Sequence, residues 1–308
     1  MKAIYPAFLF FLTTTVFAQG NKAEPFLPEI FSQFPNVRDI AISSDEDEIY
    51  FSVQSFQDEI SIITHIKKIN NRWSDPEIAS FSGKYFDIEP FLSPDGLKLY
   101  FVSNRPMDET GDKPKDFDIW YVQRVNKNSD WSDPVNIGPP INSNENEFYP
   151  SITDNKNFYF TCDARGTKGR DDIFVSRWEG NHYTEPISLN DSINSAGYEF
   201  NAFIAPDESY IIFTGYQRED GFGSGDLYIS YKLSDRNWTK AKNLGEEINS
   251  AKMDYCPFVD VKTKTLYFTS KRSSVNDSSK KFSSIQDFLN EMKKYENGLS
   301  RIYKAVLK

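Results

Sequence analysis

The chain has 308 residues, and its 45 Asp and Glu outweigh 35 Lys and Arg to give a formal charge of −10. A field of that sign repels phosphate backbones and anionic lipid heads, which argues against nucleic-acid and membrane-surface binding. Two cysteines are too few for a disulfide framework, and the two histidines, His65 and His182, fall on outer strands, away from any zinc or imidazole chemistry.

The chain opens "MKAIYPAFLFFLTTTVFAQG", with Lys2 followed by an apolar run that ends at Val16-Phe17-Ala18. Small residues at the −3 and −1 positions predict a signal peptide over residues 1–18, cleaved before Gln19. The run falls short of the roughly 20 apolar residues of a membrane span. No cysteine follows the cleavage site, so no lipoprotein anchor is expected. The mature chain, residues 19–308, is expected to be exported to the periplasm or beyond, as one soluble domain without membrane insertion.

Five copies of one pattern follow. They are anchored by Tyr50-Phe51, Tyr100-Phe101, Tyr159-Phe160, Ile212-Phe213 and Tyr267-Phe268. A period in the fifties with several strands per copy is the mark of propeller blades. Each first strand runs to a turn, clearest at Asp95-Gly96, and the second strand carries the anchor pair. Third strands read "EISIITHI", "DIWYVQRV", "DIFVSRW", "DLYISYKL" and "RIYKAVL", with the alternation of half-buried strands. Fourth strands read "RWSDPEI", "DWSDPVNI", "HYTEPISL" and "NWTKAKNL"; where a proline occurs it suits an edge. The fifth copy lacks a fourth strand, while "PFLPEI" at residues 25–30 sets Pro28-Glu29-Ile30 against Pro76-Glu77-Ile78. The N-terminus is therefore expected to complete the last blade and close an all-β, five-bladed propeller of four-stranded antiparallel blades. An insertion over about 273–299 breaks the last copy. In it Ile285, Phe288, Leu289 and Met292 are spaced for a short helix lying on the rim, with Ser284 and Asp287 in its first turn.

The connectors "NIGPPINSNENEFYPSITDNKNFYFTCDAR", "LNDSINSAGYEFNAFIAPDESYIIFTG" and "NLGEEINSAKMDYCPFVDVKTKTLYFTS", with "LSPDGLKLYFVSNRP" and "DIWYV", resemble the PD40, WD40-like repeats of TolB-like proteins. The resemblance covers essentially the whole mature chain and implies a propeller exported by a Gram-negative bacterium. The peptidoglycan-binding domain that often follows such repeats is not seen here.

The fourth-to-first and second-to-third connections of a blade emerge on one face, so residues there are the candidate ligand-binding set. They comprise Asp87, Glu147, Glu199 and Asp254 at the start of first strands, Asn142, Asn194 and Asn249 before three of them, and Arg105, Arg165 and Arg272 after second strands. Repeated in several blades, these groups also suit a scaffold in which each acid ties an arginine or backbone N–H groups. The third-strand acids Asp118, Asp172 and Asp226 read as scaffold more plainly still. "GFGSG" at 221–225 sits between strands, as a flexible loop and not a dinucleotide fingerprint. The acidic loop 169–172 lacks a twelve-residue calcium pattern, and no metal or cofactor is expected. Neither a G-x-S-x-G elbow nor an S-x-D-x-G-x-T-W box occurs. The expectation is a monomeric, non-catalytic binding module for an envelope protein or a polysaccharide. The alternative is a glycan-active hydrolase or lyase using carboxylates at the channel mouth.

Overall fold

The anchor pairs show why the repeat needs two large side chains in a row. Successive residues of a strand face opposite sides of a sheet. Tyr50 packs with blade 2 while Phe51 packs with blade 5; Tyr100 and Tyr159 likewise face the following blade, and Phe101, Phe160, Phe213 and Phe268 the preceding one. Each of those phenylalanines is almost fully buried, a burial worth about 2–3 kcal/mol per ring. One strand therefore seals two interfaces, and the ring is stapled together by its second strands.

The computed structural model describes residues 22–107, 115–163, 166–275 and 281–307. They form five antiparallel sheets in a ring, a five-bladed β-propeller. From the axis outward, blade 1 runs Asn36–Ile42, Glu48–Gln54 and Ser61–Ile69, and blade 2 runs Asp87–Leu92, Lys98–Ser103 and Asp118–Gln123. Blade 3 runs Glu147–Ile152, Phe158–Cys162 and Asp172–Ser176, and blade 4 runs Glu199–Ile204, Tyr210–Tyr216 and Gly225–Ser234. Outer strands are only two residues long, as Glu77–Ile78, Val135–Asn136, Ile187–Ser188 and Lys242–Asn243 show.

Blade 5 consists of Asp254–Asp260, Thr265–Ser270, Arg301–Val306 and, outermost, Glu24–Pro25 from the other end of the chain. Glu24 pairs with Lys304 and Pro25 with Tyr303. The N-terminus thus closes the ring, but not with the residues the echo of "PEI" picked out. Pro28 instead starts a one-turn helix α1 (Pro28–Phe31), where its missing N–H costs nothing, and Ile30 and Phe31 are buried between blades 1 and 5.

The insertion carries helix α2 (Ile285–Met292), and the Ser284 hydroxyl caps it by accepting the Asp287 N–H. Its apolar stripe does not rest on the rim. Ile285, Phe288, Leu289 and Met292 are between 37% and 73% exposed, and only Glu291 of the helix is buried. The "GFGSG" loop is pinned rather than loose. Phe222 and Gly223 donate backbone N–H groups to Asp226, and a Cβ at Gly223 would meet the Lys252 carbonyl at 1.8 Å. Both cysteines are buried and unbridged, and no described helix is long and apolar enough to cross a membrane.

Candidate functional site

The acids and arginines read from the repeat sit in the blade walls. Asp87, Glu147, Glu199 and Asp254 are fully buried at the starts of the inner strands of blades 2 to 5. Arg105 Nη2 lies 2.8 Å from Asp87 and Arg272 Nη2 3.0 Å from Asp254. The same nitrogens donate to the Phe81 and Ile248 carbonyls, and each Nε donates to a second-strand serine, Ser103 or Ser270. Blade 4 builds a related clasp with Arg218, a residue that the spacing of the other copies does not reveal: its Nη2 lies 2.9 Å from Glu199 and donates to the Ile193 carbonyl, and its Nε donates to Glu199 in place of a serine. Arg165 lies outside the described residues. Asn142, Asn194 and Asn249 each accept and donate across one residue of the preceding blade's third strand, at Ile119, Ile173 and Leu227. Burial raises the Glu147 carboxyl to about 7 and pushes that of Asp254 upward. None of the described members of this set lines the axial cavity described next.

A second ring lies on the axis. One residue near the start of every inner strand, the fourth in blade 1 and the third in the others, leaves the ladder in a bulge with left-handed backbone: Asp39 (φ 52°), Glu89 (58°), Tyr149 (52°), Asn201 (49°) and Cys256 (53°). Such conformations are uncommon for non-glycine residues and persist only where the surroundings fix them. Here the fixing is periodic. The bulge N–H of one blade donates to a second-strand hydroxyl of the blade before: Asp39 to Thr269, Glu89 to Ser52, Asn201 to Thr161. Tyr149 donates to the Glu89 carboxylate instead.

Five equivalent backbone positions therefore carry five unlike side chains, four of them joined around Arg38. Arg38 Nε lies 2.9 Å from Asp39, and its Nη2 lies 2.7 Å from Glu89 and 3.4 Å from the Cys256 sulfur. Asn201 Nδ2 donates to Glu89 at 3.0 Å, while the Cys256 thiol donates to Asn201 Oδ1. Asp39, Glu89 and Cys256 offer donor atoms all within 4.8 Å of one another, a spacing a metal ion could use. The Arg38 guanidinium lies among them and already supplies a positive charge. Burial, with the Asp39 charge adding to it, raises the Glu89 carboxyl to about 7 against the pull of Arg38.

Above this cluster opens a cavity of about 280 Å³. Arg38, Glu89 and Asn201 form its floor, Phe148, Tyr198, Phe200 and Tyr255 supply rings, and Gln54, Asp58, Asp171 and Lys271 supply polar groups. Asp171 is nearly buried, which lifts its carboxyl to about 6. At the opposite end the channel is apolar, walled by Phe91, Ile152, Phe203, Phe258 and Val259. The arrangement can hydrogen-bond a ligand with several hydroxyl or amide groups, stack a ring and exchange a proton near neutrality.

Sequence reasoning missed the axial residues because they break the repeat. Columns that agree between copies drew attention to the clasps. The signal for the axis is the middle column of "RDI", "IEP", "FYP", "FNA" and "YCP", where five copies carry five different residues.

No protein-family model matches the chain, and no curated protein matches it. Solved structures share its fold at low identity. A structure named as a glycoside hydrolase superposes with a TM-score of 0.53 at 9% identity, over 88% of this chain and 86% of its own. The catalytic domain of a Coprinopsis cinerea GH62 α-L-arabinofuranosidase gives 0.50 at 10%, over 88% and 90%. TolB from Acinetobacter baumannii gives 0.48 at 12%, and the chain, 88% covered, spans 55% of that protein's length. At these identities the likeness extends to the propeller alone.

Proposed function

We propose that this is an exported binding module of the PD40, TolB-like repeat class that seats one sugar unit of a polysaccharide in the channel mouth without cleaving it. The observation that carries this reading is the Arg38 cluster. Glycosidases set their two carboxyls about 5–5.5 Å apart or about 6.5–9.5 Å apart, with the bond between them. Asp39 and Glu89 are both bound to Arg38, and Glu89 also accepts from Asn201 and the Tyr149 backbone N–H, so the axial carboxylates serve as fixed acceptors rather than as a flanking pair. Rings beside planar amide and carboxylate groups suit a sugar's apolar face and its hydroxyls.

Export rests on the leader ending at Ala18, and N-terminal sequencing of protein secreted with its own leader should start at Gln19. Binding is tested with immobilised bacterial, plant and host glycans. The expected result is saturable binding to one class, weakened about tenfold by Tyr198→Ala, which removes a stacking ring at the rim. Absence of binding across the whole panel overturns the proposal.

A second reading, a glycan-active enzyme, is favoured by one observation: Glu89 and Asp171 share a cavity and hold protons to about pH 7 and 6, as a general acid must. It predicts release of new reducing ends from a polysaccharide in the panel, abolished by Glu89→Gln. Binding without release decides for the module.

A further inference from the structure

The third strands of blades 2 and 3 begin with Asp118 and Asp172, and that of blade 4 has Asp226 as its second residue; the three pair in register with Ser103, Cys162 and Gly215. These acids hold the outer strand, by bonds to Asn136, Ser188 and Asn243 respectively. In blade 5 the matching residue, paired with Ser270, is Arg301. The charge is reversed at one blade, the one that closes the ring.

Arg301 is 4% exposed and has no carboxylate partner among the described residues. Its Nη1 donates to the Pro35 and Ser300 carbonyls at 2.7 and 2.9 Å. Nε is buried without a hydrogen-bond partner, and Nη2 makes none to a described residue. Burial pulls the guanidinium's pKa down, with only the Tyr295 and Tyr303 hydroxyls opposing. A buried charge is ordinarily paired, because leaving it unpaired costs several kcal/mol. The unused Nε–Nη2 edge is the one that grips a carboxylate with two parallel bonds.

Arg301 lines a groove of about 920 Å³ at the seam between blades 5 and 1, beside α2. Phe34, Phe56, Met292 and Leu299 give it apolar walls, and Lys293, which has no ion pair among the described residues, stands at its rim. Among the described residues no acidic one lines it, on a molecule of net charge −10. Phe56 and Met292 are 71% and 52% exposed.

We propose that this seam groove binds the C-terminal end of a peptide, with the terminal carboxylate on the Arg301 guanidinium and apolar side chains between Phe56 and Met292. The site is separate from the channel mouth and does not depend on the glycan reading. A fluorescein-labelled hexapeptide of alternating leucine and glycine with a free C-terminus is titrated against the full chain by fluorescence polarisation. The same peptide amidated, and an amidated one with a mid-chain glutamate, are run beside it. The free acid should bind about tenfold or more tighter than the plain amide. Recovery by the mid-chain glutamate would overturn the C-terminal assignment, since any carboxylate would then serve. Arg301→Gln, which keeps the side chain's polarity without its charge, should erase the preference. Lys293→Glu, on the exposed rim where folding is not at stake, should weaken the free acid several-fold. Glu89→Gln at the channel mouth should change nothing. Equal affinity for acid and amide, or no saturable binding of any peptide, overturns the proposal.

Discussion

Glu89 concentrates the chemistry of the axis in one carboxyl. It accepts from Arg38, from Asn201 and from the Tyr149 backbone N–H, yet it is buried beside Asp39. Burial is the main reason the proton is held up to about pH 7, and the neighbouring Asp39 charge adds to it against the pull of Arg38. The sign follows from linkage. An acid with a folded pKa above its ordinary value of about 4.3 binds protons more tightly in the folded state. Its contribution to stability therefore falls as the pH climbs from about 4.5 to about 7 and is level beyond that. Glu89→Gln has no proton to lose and leaves Arg38 with Asp39 alone. The melting temperature of the variant minus that of the parent should rise between pH 5 and pH 8, by an amount reflecting a swing on the order of a few kcal/mol. Calorimetry at several pH values reads it, and a difference that stays flat would sink the assignment. None of this was visible in the residue's sequence context, since "DIEPFL" marks position 89 as an ordinary strand residue and only the bulge turns it to the axis.

The clasp is an element-scale device, repeated because each inner strand needs its entry fixed. Asp87 is fully buried, and Arg105 supplies its cation, a tie to the Phe81 carbonyl and a face over the Phe101 and Trp120 rings. Arg105→Ala should cost about 3–5 kcal/mol, the range for stranding one member of a buried pair. Adding Asp87→Asn should recover much of the loss. Lys127→Ala, which breaks a half-exposed pair with Asp45, should cost less than about 1 kcal/mol. Urea unfolding followed by tryptophan fluorescence separates the three. Equal losses for the buried and exposed pairs would contradict the clasp's role. These elements were largely legible, because alternation, turn residues and the acid after each connector are local signals. Arg218 was not, because the second strand of blade 4 runs to Tyr216 and its arginine comes three residues after Gly215, not two as after Ser103 or Ser270. The α2 stripe misled for a related reason: helical spacing shows that one face is apolar, not that anything covers it.

At the scale of the molecule, a ring of five blades has one seam, and the chain's own start seals it. Beyond the two pairs with Lys304 and Tyr303, Ala23 donates to the Glu247 carbonyl and Phe26 to that of Ile302, and the Phe26 ring packs edge-on to Tyr267. Removing the residues before Pro28 should bare the Arg301–Val306 strand as an open edge, lower the melting temperature by several degrees and promote association. Light scattering with a thermal melt tests it, and an unaltered size and melting temperature would show that the seam needs no seal. The sequence could announce this closure because a blade was one strand short. It could not place it within a few residues, since a two-residue strand carries almost no pattern of its own.

The same seam imposes an order of events in time. The first described strand, Glu24–Pro25, has its partner in the last, Arg301–Val306, so the earliest residues to emerge during synthesis must wait for the final ones. Contacts this distant along the chain are among the slowest to form. Blades 1 to 4 draw their strands from continuous stretches and can assemble as the chain lengthens, which leaves ring closure as the last step. If export proceeds through the N-terminal leader, the terminus that must seal the ring is the one held at the membrane until cleavage. Release of that end, rather than completion of any blade, would then set the moment at which the protein becomes native.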